Sequence, residues 1–289
     1  MSFFQMMVLA ILQGATELFP VSSLGHAVIV SALLHWDSLR TSQATFLPFL
    51  VMLHLGTSIA LLFFFWQDWF ALFKGVCGLS GGRIRAESLH ILTLLIMATV
   101  PAVIIGGLFE HFLRHVFGAA SSAAVFLCLN GLLLLMIERL RNGTLFKNQK
   151  PKKQKQCLAE LSIKDAVIIG LFQCLAFFPG FSRSGATIGG GILRGLHYDS
   201  AARFSFLMAE PVIVAATVRE AFKMRHMTFE SGQLSMIFIA ALVAGLSALA
   251  STAFLMHYFR DHDQWALSPF GWYCLIAGGS AWTALHIMT

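Results

Sequence analysis

From Phe3 to Phe19 the chain is apolar at almost every position, Pro20 stops the run, and a second short apolar stretch opens at Ser22-Ser23 and continues to Leu34. Segments apolar on all sides are buried helices or membrane segments rather than amphipathic surface helices. Each of these is shorter than the ~20 residues that cross a bilayer, so together they read as a re-entrant hairpin over residues 3–34. Longer apolar runs follow near 46–66, 90–109 and 120–138, separated by polar stretches at 35–45 (His35, Asp37, Arg40), at a Gly-rich basic loop (Lys74, Gly81, Gly82, Arg83, Arg85) and around His111 and Arg114. Trp66 and Trp69 stand where a first full span ends, as interfacial anchors do. The pattern then recurs. Short runs at about 164–178 and 182–195 flank Pro179, and full runs lie near 199–218, 233–258 and 271–288.

The two hairpins carry one motif written twice. Gln13-Gly14-Ala15-Thr16-Glu17-Leu18-Phe19-Pro20-Val21-Ser22-Ser23-Leu24-Gly25-His26, shifted by 160 positions, puts Gln13 on Gln173, Ser22 on Ser182 and Gly25 on Gly185 within Gln173 to Thr187. An odd number of crossings per half forces the halves into opposite orientations, an inverted-topology repeat. The expected fold is therefore an all-α polytopic membrane protein with six full transmembrane helices plus two re-entrant helical hairpins meeting near the midplane. Residues 1–138 form the first repeat, 139–163 a basic cytoplasmic linker, and 164–289 the second repeat with its hairpin at 164–195.

Composition agrees: of 289 residues 57% are hydrophobic and 12% charged, with a mean hydropathy of +0.75, whereas soluble domains are about 25% charged. Five scattered cysteines (Cys77, Cys128, Cys157, Cys174, Cys274) lack metal-ligand spacing and read as small apolar packers. Phe3 to Phe19 lacks a basic start and a small-residue cleavage site and carries Gln13 and Glu17, so it is expected to stay in the mature chain. With the termini outside, 14 of the 20 Lys and Arg residues fall on the inner side, eight of them between Arg139 and Lys164, and five on the outer side. That bias fits the positive-inside rule, and it accounts for the net charge of +6 by topology and attraction to lipid headgroups without nucleic acid.

Broken backbone at membrane depth persists only where protein or a wet cavity surrounds it, so the polar residues of the two tips are expected to face one another. A charge at mid-span costs about 2.5–3.5 kcal/mol on insertion scales, which makes Glu17 and Arg183 candidate site residues rather than packing. The second helix of each hairpin opens at Ser22 and Ser182 with free N–H groups and the positive dipole end, a site for phosphate. Arg183 adds a planar fork, and Ser184 and Thr187 add hydroxyls. Glu17 with Gln13, four residues earlier on the same face, offers oxygen ligands to a hard divalent cation such as Mg²⁺ or Ca²⁺. His26, three residues after Ser23, shares a helix face with it, which permits a nucleophile with its base or a histidine acting on phosphorus directly. His54 and Asn130 are polar within spans, as cavity lining or as helix-to-helix hydrogen bonds, and Glu210 is a cavity acid or a protonated span residue.

Glu17 with Pro20-Val-Ser-Ser-x-Gly-His26, and Pro179-Gly-Phe-Ser-Arg-Ser-Gly-Ala-Thr187, resemble the bacterial undecaprenyl-diphosphate phosphatase family, also called BacA or bacitracin resistance, over essentially the whole chain. The resemblance implies a metal-dependent enzyme of the bacterial inner membrane. It removes the terminal phosphate of undecaprenyl diphosphate and so recycles the lipid carrier for peptidoglycan synthesis. The resemblance further implies a site facing the periplasm, with Glu17, Ser23, His26, Ser182, Arg183 and Thr187 as the matching positions, and the charge bias makes the termini periplasmic by expectation. Gln173, the repeat counterpart of Gln13, joins Ser22, Ser182, Ser184 and Thr187 as a candidate phosphate contact. Gln13 stands where the family often has glutamate, and Glu210 where many members are apolar. Ser23, His26 and water remain alternative nucleophiles. The partners expected are a polyprenyl diphosphate, membrane lipids and a second copy of the chain. The rival readings are a polyprenyl-phosphate flippase, because broken-helix repeats are transporter architecture, and a phosphatase for another lipid diphosphate.

Overall fold

The computed structural model describes residues 2–36, 43–79, 81–116, 120–143, 158–224, 232–262 and 264–287. Among these residues the protein is helical throughout, with eleven α-helices: α1 Phe3–Thr16, α2 Ser23–Leu33, α3 Gln43–Phe64, α4 Trp66–Val76, α5 Gly82–Val116, α6 Ala120–Arg141, α7 Ile163–Gln173, α8 Arg183–Leu193, α9 Tyr198–Met224, α10 Gln233–Asp261 and α11 Ser268–Ile287. A 3₁₀ turn, Cys174–Phe177, continues α7 towards Pro179. It is a multi-pass membrane protein.

The hairpins repeat in local detail. Ser2 caps α1 in a capping box with Gln5, and 160 residues later Ser162 caps α7 in a capping box with Asp165. Ser22 Oγ accepts from Gly25 N at the start of α2, and Ser182 Oγ from Gly185 N at the start of α8. Each cap satisfies one of the amides that a helix start leaves without a partner. Packing is reciprocal as well. α1 lies on α10, where a Cβ on Gly14 would come within 2.2 Å of the Ala244 carbonyl oxygen, and α7 lies on α5, where a Cβ on Gly170 would come within 2.1 Å of that of Ala98. Missing side chains on both hairpin helices thus let backbones approach to near contact, as small residues do between membrane helices.

The hairpin tips touch through the same device. A Cβ on Gly25 would stand 2.9 Å from Gly180 Cα, and one on Gly185 would stand 3.1 Å from Pro20 Cβ. Gly180 has φ +109, and a Cβ there would lie 2.3 Å from the Ala123 carbonyl oxygen. Only glycine meets both demands.

At one end of the bundle Glu138, fully buried, accepts from Tyr198 Oη at 2.6 Å and from Leu267 N at 2.5 Å. Arg194 pairs with Asp165 at 2.5 Å and Arg203 with Asp68 at 2.7 Å. These contacts gather the ends of α6 and α8 and the starts of α4, α7, α9 and α11, connections that the charge pattern assigned to one side. Lys147, Lys150, Lys152, Lys153 and Lys155 of the basic linker lie outside the described residues.

Two span boundaries and one interfacial anchor expected from the sequence need correction. The run near 46–66 does not end in a loop. It breaks at Phe65, and α4 turns off at 68° as an amphipathic helix whose Leu72 and Gly75 are buried while Trp66, Phe70 and Phe73 face outward. Its apolar stripe was hidden in a stretch where successive phenylalanines fill both faces. Trp69, expected at the membrane surface, packs against the core. The span near 90–109 starts at Gly82 and runs to Val116, through the stretch around His111 and Arg114 read as a loop. Four helices among the described residues are long and apolar enough to cross (α5, α6, α9, α10), or five with the bent α3–α4 pair. α11, at the position of the sixth expected span, has 20 residues but carries Ser268, Ser280, Thr283 and His286, and is not among them.

Gly180→Ala should cost about 2 kcal/mol or more through steric overlap and positive φ. Gly107→Ala, where a Cβ meets nothing within 4 Å, should leave the detergent unfolding midpoint unchanged or slightly raised. Equal midpoints for the two variants would contradict the close packing of the tips.

Candidate active site

α1 stops at Thr16, and the next residue, Glu17, stands at its C-cap where the backbone turns away towards Pro20. Its carboxylate is the hub of the site. Oε1 accepts from Arg183 Nη2 at 3.0 Å. Oε2 accepts from Ser23 Oγ at 2.6 Å and from Gln13 Nε2 at 2.9 Å. Arg183 is the first residue of α8, one position beyond its cap, so the fork leaves the second hairpin at the point where the first presents its acid. The side chains of Arg183 and Glu17 keep 18% and 11% of their surface exposed, a low-dielectric place with a remaining opening.

Gln13 Nε2 also lies 2.8 Å from His54 Nδ1. An amide nitrogen between a carboxylate and an imidazole fixes which end of the amide is which, and it makes His54 Nδ1 the acceptor. Glu210 sits behind this wall, 2% exposed. It accepts at Oε1 from Ser58, one turn after His54, while its Oε2 has no hydrogen-bond partner.

The tips are stitched by groups that sequence reasoning had aimed at phosphate. Ser182 Oγ and Ser184 Oγ both donate to the Phe19 carbonyl, at 3.2 and 2.9 Å. Thr187 Oγ1 bonds to the Arg183 carbonyl at 2.8 Å and to Ser205 Oγ at 2.6 Å. All three are buried, and their hydroxyls occupy themselves within the protein. Gln173 is buried with neither amide atom bonded. Asn130, from α6, clamps both tips: Nδ2 donates to the Pro20 carbonyl at 2.9 Å and Oδ1 accepts from Ser182 N at 3.1 Å. Of cavity lining and helix-to-helix hydrogen bonding, Asn130 does the latter to Cys274 Sγ of α11 at 3.4 Å, and its bonds to the two tips come in addition.

Ser23 and His26 do not pair. Ser23 gives its proton to Glu17, while His26 donates from Nδ1 to the Ser22 carbonyl at 2.7 Å and accepts at Nε2 from Tyr273 Oη at 2.8 Å. The i, i+3 spacing put them on one face, but Ser23 is the first helical residue and turns back to the helix-stop carboxylate. Tyr273 was missed from sequence because a lone tyrosine in the final apolar run carries no local signal. His54 was seen only as a polar residue within a span.

Among the described residues no three His, Cys, Asp or Glu side chains cluster to hold a metal ion. Glu17 and the free Oε1 of Gln13 are oxygen donors, and that pair suits a Mg²⁺-like ion which keeps waters and takes substrate phosphate oxygens, rather than one caged by protein alone.

The family described as "Bacitracin resistance protein BacA" matches residues 6–280, which include both tips and every site residue above. The chain belongs to the BacA family. It is 61% identical over 278 residues to a protein of Gluconacetobacter diazotrophicus named "Undecaprenyl-diphosphatase", covering 96% of this chain and 95% of that one. Proteins of the same name from Gluconobacter oxydans and Granulibacter bethesdensis are each 52% identical, covering 96% and 99% of this chain and 97% and 98% of theirs. In this BacA protein the match spans both tips, with Glu17 on one and Arg183 on the other.

Asn130→Ala strands the Pro20 carbonyl and the Ser182 amide. Each lost buried hydrogen bond costs about 1–3 kcal/mol, so the unfolding midpoint in detergent should fall by several degrees. An unchanged midpoint would mean that the tips hold together without the clamp.

Proposed function

We propose that the protein hydrolyses undecaprenyl diphosphate to undecaprenyl phosphate and inorganic phosphate, with the Glu17–Arg183 junction as its active centre. The observation that carries this reading is the meeting of a carboxylate, a guanidinium and a hydroxyl within hydrogen-bond distance where two helices begin and one ends. The first amides of α2 and α8 have no carbonyl four residues back, and helix starts of this kind accept phosphate oxygens.

In this mechanism the diphosphate draws Arg183 from Glu17, leaving the carboxylate with Ser23 and Gln13. Arg183 then bears on the terminal phosphoryl group, where charge spreads over three oxygens during transfer. The attacking oxygen, Ser23 Oγ or a water in its place, loses its proton to Glu17 as its bond to phosphorus forms. The anhydride P–O bond breaks, and undecaprenyl phosphate leaves with the electron pair. If Ser23 attacks, water later cleaves the serine phosphate. Ser182, Ser184, Thr187 and Asn130 act by fixing the two tips, which is positioning of the kind that dominates phosphoryl transfer. A divalent cation held by Glu17, Gln13 and the diphosphate would screen charge on the phosphate oxygens.

The same reading makes the halves inverted repeats, each of three spans and one re-entrant hairpin, with the tips near the midplane. The shared capping boxes and the reciprocal packing of α1 on α10 and α7 on α5 support it. The positive-inside bias supports an inner-membrane location with the 139–164 linker cytoplasmic and the termini periplasmic.

Arg183→Ala should reduce phosphate release from detergent-solubilised protein by a hundredfold or more while the protein stays folded, with a lowered unfolding midpoint because Glu17 loses its buried partner. Detergent removes the two compartments, so release there also separates a phosphatase from a flippase. Wild-type release from the variant, or none from the wild type on polyprenyl diphosphates, would refute the assignment. Chelation should suppress release and added Mg²⁺ restore it; release unaffected by chelator would remove the cation from the scheme.

A further inference from the structure

The two tips, so alike in capping, differ in backbone conformation at the capping serine. Ser182 has an ordinary extended backbone at φ −86, but its counterpart Ser22 sits at φ 66, ψ 99, a left-handed conformation that a residue with a side chain seldom adopts. Conformations of this kind cost of order 1–3 kcal/mol and persist only where surroundings impose them. Here the distortion has a visible product: the Ser22 carbonyl receives the His26 Nδ1 proton at 2.7 Å. The counterpart of His26 in the second tip is Ala186, so nothing there needs a carbonyl in that position.

The other face of the imidazole is held as firmly. Tyr273, on α11 and 247 residues away in the chain, donates from Oη to Nε2 at 2.8 Å, and the two rings lie nearly parallel, 7° apart, with centroids at 5.7 Å. With Nδ1 donating to a carbonyl and Nε2 accepting from a phenol, the ring is a neutral imidazole in a single tautomer. His26 itself is buried, while Tyr273 is 46% exposed. The phenol therefore lies between the histidine and the outside of the bundle.

We propose that Tyr273 is the positioning residue of His26. It holds the Nε2 lone pair aimed and occupied until substrate arrives, and together with the distorted Ser22 carbonyl it fixes the proton on Nδ1. A packing tyrosine would serve as well without its hydroxyl. The hydroxyl is what this role requires, because it is the only donor that the Nε2 lone pair meets among the described residues. The proposal adds one premise to the phosphatase reading above, that His26, a matching position of the family resemblance, acts through Nε2 on the reacting group.

Tyr273→Phe keeps the ring and removes only the donor. In the solubilised full chain it should lower kcat for phosphate release about tenfold and change KM by less than twofold, with an unaltered unfolding midpoint. In a His26→Ala background the same change should have no further effect, since a residue acting through another cannot add to its loss. A second readout does not depend on turnover. Diethyl pyrocarbonate attacks the free imidazole lone pair, so carbethoxylation of the His26 peptide, followed by mass spectrometry, should be several-fold faster in Tyr273→Phe. A wild-type kcat in Tyr273→Phe, losses that multiply in the double variant, or an unchanged carbethoxylation rate would each overturn the proposal. Full activity in His26→Ala alone would instead overturn the catalytic reading of His26 on which it rests.

Discussion

Where a helix breaks inside a low-dielectric medium, its freed carbonyls and amides must find partners or cost several kcal/mol each. The organisation of this protein follows from how that demand is met at Phe19 and Pro20. The Phe19 carbonyl accepts from Val21 N within its own hairpin at 2.7 Å, and both carbonyls also draw partners from outside it. Phe19 is taken by the hydroxyls of Ser182 and Ser184, and Pro20 by the amide of Asn130, which also takes the Ser182 N–H. The groups freed at the two breaks thus find partners across the junction and on α6. Glycines at 25, 180 and 185 are what let the two backbones come close enough for this exchange.

The ion pair sits on top of that exchange rather than beneath it. Exchanging a buried pair for well-packed apolar groups is often neutral or stabilising, so Glu17 and Arg183 are poorly explained as a device for stability. Their value is that each belongs to a different tip. The stitched carbonyls fix the tips, and the fixed tips hold an acid and a guanidinium 3.0 Å apart in a setting that retains an opening. In the proposed mechanism a ligand rich in phosphate oxygens competes directly for the guanidinium and leaves the carboxylate beside Ser23. Binding and the release of the base are then one event.

Near-symmetry and its breaking divide the work between the tips. Capping, glycine contacts and helix lengths are shared, α2 and α8 each having 11 residues. The acid, the histidine and the strained serine belong to the first tip alone, and the guanidinium to the second. In the proposed mechanism the second tip supplies charge and anchorage, and the first supplies the groups that move protons.

Much of this was legible in the chain itself. The apolar runs, the two proline breaks and the 160-residue shift define a helical membrane protein with paired broken hairpins, because a bilayer leaves so few ways to satisfy backbone polar groups. Glu17 and Arg183 stood out because charge is costly there. What stayed hidden was direction. Sequence spacing could put Ser23 and His26 on one face, but it could not say that Ser23 turns back to Glu17 while His26 is claimed by Ser22 and Tyr273. Nor could it say that Ser182, Ser184 and Thr187 spend their hydroxyls on the protein. The α3–α4 bend was likewise lost in a run of phenylalanines apolar on every side. Composition and periodicity settle which solvent a segment prefers, a property of the segment alone. The partner of each hydroxyl, amide and ring nitrogen is set by residues a hundred or more positions away, and only the folded tertiary structure brings those within reach.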